Sequence, residues 1–164
     1  MRKFMHSQKG QSLVEVALLT PLLLAMLLGA IELGRYAYLS ILVANAAHAG
    51  ALYAAQGPGQ AGDTPGIIQA ADNDFENNGQ NVTVLAVSSQ IACGCESGGT
   101  IASPLTGSSC SAYSVSQSQA DCSVGYWTNM VTVTASAKFH SLFNYPWIPS
   151  TLPVTRQSTM QVAN

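Results

Sequence analysis

From Val16 to Ile31 the chain carries no charged residue, and only Thr20, Pro21 and Gly29 interrupt its run of large apolar side chains and alanines. No other feature restricts the possible folds so much. Extended to Gln11 and Leu33, the segment spans ~34 Å as a helix, enough to cross a hydrocarbon core of ~30 Å. A soluble domain of this size could not cover such a helix on every side. A cleaved secretory signal is the alternative, with Ala44-Asn45-Ala46 as a formal small-residue match, but the apolar segment is long for one. The reading adopted is a single membrane-spanning helix. Pro21 would break a soluble helix but is tolerated in a membrane, where a mild kink is its expected effect.

Charge sets the orientation. Arg2, Lys3 and Lys9 are half of the six basic residues and all precede the span, so the N-terminus is expected in the cytoplasm and the rest outside it. Beyond Arg35 only Lys138 and Arg156 stand against six acids, a formal balance of −4. Such a domain cannot neutralise a phosphate backbone, which argues against nucleic acid as a partner. At the outer end of the span, Glu32 and Arg35 are three residues apart and predict an interfacial ion pair. Glu15 differs: it lies one turn inside the cytoplasmic end among Leu13, Val14, Val16 and Ala17. A carboxylate there either snorkels to the headgroups or takes a cation from another chain.

The leader and span together resemble a known pattern. Met1 to Gly10 form a short basic leader ending in glycine, followed by Gln11-Ser12-Leu13-Val14-Glu15-Val16 and the apolar run. This resembles the prepilin motif, in which a prepilin peptidase cuts after the glycine and glutamate is the fifth residue of the product. The continuation through Thr20-Pro21, Gly29-Ala30-Ile31-Glu32-Leu33-Gly34-Arg35 and Ala44 to Ala51 is similar to the TadE-like family, pseudopilins of the tight-adherence (Flp) pilus machinery. The resemblance is strong from Gly10 to about Ala55, weaker from Tyr126 to Val162, and absent between. It implies a processing site at Gly10 and Gln11, a bacterial inner-membrane location with the domain periplasmic, and other pilin-like subunits and the pilus platform as partners. Cutting after Gly10 would create an α-amine at Gln11, and Glu15 could pair with that amine on a neighbouring subunit. Gly29, Ala30, Gly34 and Ala37 offer a small face for close helix contact.

The resulting layout is a leader (1–10), a transmembrane helix (11–35) and an extracytoplasmic domain (36–164). Within the domain the helix continues over 36–56, a loop-rich region follows over 57–125, and strands fill 126–164. The apolar recurrence of Leu39, Leu42, Val43, Ala46, Ala49 and Tyr53 predicts a helical face packed on the domain. A short helix is expected from Pro65 to Asn77, with Thr64 as its cap. Asp72 to Glu76 lacks the glycine and final glutamate of a calcium loop and reads as a solvated face. Strands are expected at Asn81–Ser88, Trp127–Phe139 and Pro153–Val162, the last with Thr155, Gln157, Thr159 and Gln161 on a wet face. The fold class is therefore α+β: a pilin-like long helix on a small antiparallel sheet of about three strands, with a disulfide-stapled loop.

Cys93, Cys95, Cys110 and Cys122 all lie beyond the span. Their C-x-C spacing and the distance to His140 do not suit a metal site. An even number in an oxidising compartment predicts two disulfides, each joining Cys93 or Cys95 to Cys110 or Cys122, in either crossing. No nucleophile elbow, zinc-protease motif or phosphate loop occurs. Neither catalysis, nor a cofactor, nor a small-molecule substrate is expected.

Overall fold

The computed structural model describes residues 10–76, 85–98, 100–106, 110, 122–123, 125–142 and 149–163, with the side chains of 11–12, 76, 100 and 102–106 outside that description. The chain divides into two compact units, Met1–Ala37 and Tyr38–Asn164. Helix α1 spans Gln11–Ala54, α2 Pro58–Gly62 and α3 Thr64–Glu76; the strands are β1 Ala86–Ser97, β2 Thr100–Thr106, β3 Tyr126–His140 and β4 Thr151–Gln161.

The first unit is the apolar part of α1. Its leucines stand in the open, from Leu13 (73% exposed) to Leu33 (70%). Among the described residues, α1 is the one helix long and apolar enough to cross a membrane. It passes through Pro21 without interruption. Proline has no N–H to offer the preceding turn, and just before it the Thr20 hydroxyl donates to the Val16 carbonyl at 2.6 Å.

The second unit is a helix-on-sheet domain. The sheet is antiparallel in the order β2-β1-β3-β4. Its core face follows from the period of two: Val131, Val133, Ala135, Ala137 and Phe139 of β3 are buried, and Thr132, Thr134 and Ser136 between them are not. Leu39, Leu42, Val43, Ala46, Ala47, Ala51 and Ala54 are buried on the domain portion of α1. That row ends in small side chains because the backbones come close: a Cβ on Gly50 would stand 3.2 Å from Val133 Cγ1 and 3.3 Å from Ile67 Cγ2. Helix α3 adds Ile67, Ala71 and Phe75 at intervals of four, all buried.

Three differences from the sequence reading stand out. The strand expected at 81–88 runs from Ala86 to Ser97, with residues 81–84 outside the described set. Its Ser-Ser-Gln and Cys-Gly-Cys segments have little strand preference of their own. They are strand because each residue from Ala86 to Glu96 pairs with β3. A fourth strand, β2, lies within the region read as loop and pairs with β1 through a turn at Gly98, where φ is +64°. It is an edge strand, and there Pro104 removes no ladder bond that the sheet needs. Finally, the cap of α3 is Asp63 and not Thr64: the Gly66 N–H donates to its carboxylate at 3.2 Å, and the Ile67 N–H to its carbonyl at 3.0 Å.

Candidate functional site

Helix α1 carries most of the candidate residues. Gly10 opens the described chain, exposed and with room for a side chain; Gln11 begins the helix. Glu15 is exposed one turn further on, with no ion-pair partner among the described residues. Glu32 and Arg35 form the expected pair, with Oε2 and Nη1 at 3.3 Å. Gly29 and Gly34 have nothing within 4 Å of an added Cβ, so the small face is unobstructed.

On the domain portion of α1 the solvent-facing positions are Tyr38, Ile41, Asn45, His48 and Leu52. Their spacing of three and four draws a single ridge along the helix. The outer ridge of a helix packed on a sheet ordinarily carries charge. Here it carries none, and Tyr38, Ile41 and Leu52 are 46%, 58% and 50% exposed. The signal was present in the sequence as the absence of any Asp, Glu, Lys or Arg from Tyr36 to Gly62. Only packing on the sheet reveals which five of those residues face outward.

At the C-terminal end of α1, the Tyr53 hydroxyl donates to Asp63 Oδ2 at 2.7 Å. Together with the Gly66 N–H, this ties α1 to the start of α3. The Tyr53 hydrogen bond, then the Gly66 amide, holds the Asp63 carboxyl below its ordinary value, and the same carboxylate raises the Tyr53 hydroxyl. Gly66 is small of necessity, since a Cβ there would lie 2.5 Å from the Tyr53 hydroxyl and collide with Asp63 Oδ2. A depressed carboxyl stabilises the fold above its unfolded pKa, and this contribution disappears as pH falls through the folded value. Asp63→Ala should therefore lower the thermal midpoint at neutral pH. The gap between variant and parent should close on acidification, as thermal scans across the acid range will show.

Both disulfides lie at one end of the sheet. Cys93 joins Cys110 and Cys95 joins Cys122, with Cα separations of 5.6 and 5.5 Å. Of the two crossings open to the sequence, this is the one formed. Cys93 and Cys95 sit two apart on β1, so both point to the core face, and the ladder to β2 shifts register between them. The structure thus fastens 110 and 122 to neighbouring points of one strand. Beside them Gly125 holds φ at +85°, and a Cβ there would strike the Glu96 carbonyl. Among the described residues no group of three or more His, Cys, Asp or Glu is placed to hold a metal.

A long N-terminal helix, apolar and open over its first part and packed on an antiparallel sheet over its second, defines an α+β protein whose helix is long and apolar enough to cross a membrane. Residues 10–52 match the family model described as TadE-like protein, and Gly10, Glu15, Glu32 and Arg35 lie within the matched stretch. The match ends two residues before α1 does and leaves the sheet outside it. No curated protein and no solved structure matches the chain.

Proposed function

We propose that the chain is a minor pilin-like subunit, anchored in the bacterial inner membrane by α1 and acting, without catalysis, in the assembly of a tight-adherence (Flp) pilus. The observation that carries this reading is the coincidence of the TadE-like segment with α1. That one helix follows directly on the glycine of a processing motif and holds a carboxylate inside the apolar run and an uncharged ridge beyond it. The ridge supports the reading because an uncharged surface of large apolar side chains calls for a covering partner. The leader orients the chain with its N-terminus in the cytoplasm and its domain in the periplasm. The prepilin peptidase removes residues 1–10, and the partners are other pilin-like subunits and the assembly platform. A type II secretion pseudopilin would share this architecture.

Mass spectrometry of the chain from cells with and without the prepilin peptidase tests the proposal. The expected product begins at Gln11 only where the peptidase is present, and replacing Gly10 by a bulky residue abolishes the cut without disturbing the fold. An intact leader in both strains would favour a periplasmic binding or adhesion module merely tethered by its helix.

A further inference from the structure

The two disulfides interleave along the chain. Cys93 joins Cys110 and Cys95 joins Cys122, so each bond passes over one cysteine of the other, and none is left free. Four cysteines allow three pairings, and an unfolded chain has no preference for this one. Cys95 and Cys110 are slightly nearer in sequence than Cys93 and Cys110, so loop closure forms those two bonds at near-equal rates. Once Cys95 has taken Cys110, Cys93 and Cys122 are left to each other. Cys110 and Cys122 are nearer still, and loop closure favours that bond by about three-fold over Cys95–Cys122.

What selects the native crossing is the finished sheet. Strand β2 brings Leu105 opposite Cys93, while β3 starts with Tyr126 opposite Glu96 and Trp127 opposite Cys95. In that frame Cys110, which follows β2, is bonded to Cys93, and Cys122, which precedes β3, is bonded to Cys95. The pairing information thus lies in strand registers that do not exist while the chain is being oxidised. Cys93 is fully buried in the result, so correction has to precede closure of the sheet. A chain oxidised in the other crossing holds no thiol of its own with which to begin an exchange.

We propose that the chain is a substrate of a thiol–disulfide isomerase, which converts the wrong crossing to Cys93–Cys110 and Cys95–Cys122 before β1 is covered. A thiol oxidase of the same compartment takes the electrons when the first bonds form. The later conversion is redox-neutral. The isomerase thiolate attacks Cys110 Sγ, making a mixed disulfide and freeing the Cys95 thiolate. Cys95 attacks Cys122 Sγ, forming one native bond and freeing Cys93. Cys93 then attacks Cys110 Sγ, forming the other and releasing the isomerase thiolate. This rests on the domain lying outside the cytoplasm, as the proposed function has it, and the test separates the two claims.

The full chain is isolated from cells with and without the periplasmic disulfide isomerase, its thiols blocked before lysis, and its linked peptides are mapped by mass spectrometry. Non-native pairs should be several-fold more abundant without the isomerase. C93A with C110A leaves Cys95 and Cys122 alone, a chain that cannot mispair whether or not it folds, and its single bond should form equally in both strains. Native pairing of the parent to the same extent in both strains overturns the proposal and leaves the location intact. Loss of the single bond in the strain without isomerase also overturns it, because oxidation and not exchange would then be the missing step. Four free thiols in both strains overturn the location and the proposal together.

Discussion

Chains that cannot form Cys93–Cys110 and Cys95–Cys122 are expected to unfold at markedly lower urea concentration than the oxidised parent. The bonds close loops with sequence separations of 17 and 27, and restriction of the unfolded chain by loops of this size contributes about 3 kcal/mol each. Because the two loops overlap in sequence, the pair together contributes less than two independent loops of these sizes would, and removing both should cost more than the sum of the single losses. Alanine is the replacement of choice at Cys93, which is fully buried, since serine would add the cost of an unpaired hydroxyl. Near-UV circular dichroism through a urea titration reads the domain. The apolar run should stay inserted throughout, because its transfer into lipid owes nothing to the sheet. Alkylation of non-reduced protein followed by mass mapping checks the premise, and four freely labelled thiols would overturn it.

Glu15→Ala should insert into the membrane as well as the parent and yet fail to assemble. Removing a carboxylate from an apolar helix favours insertion, because an ionised side chain inside the bilayer costs a few kcal/mol unless it is paired. The same cost is the source of the effect on assembly: under the proposed function, the Gln11 α-amine of a neighbouring subunit offsets it and sets the stagger between helices. With that partner lost, co-purification with other pilin-like subunits and surface piliation should fall to background, while carbonate-resistant membrane association is unchanged. Normal piliation by this variant would sink the pairing.

The sequence by itself determined the features that depend on local composition or on a period. An uncharged apolar run, a basic leader and a glycine five positions before a glutamate are legible without coordinates. So is the alternation of Val131, Val133, Ala135 and Ala137 against Thr132, Thr134 and Ser136, because a period of two leaves one face dry. Helix α3 was readable from Thr64-Pro65, although its cap lay one residue earlier at Asp63, where the partner is a tyrosine ten residues back in the chain. What only the tertiary structure decided depends on residues distant in sequence. The Cys-Gly-Cys segment is strand because β3 pairs with it, β2 exists because β1 offers it an edge, and the choice between disulfide crossings followed from where that strand places its two cysteines. The same holds for the ridge and for the contact of Arg156 with Ser40. A helix without charge has no outward side until a sheet covers the other one, and an arginine 116 residues from Ser40 reaches it only because β4 runs back along α1.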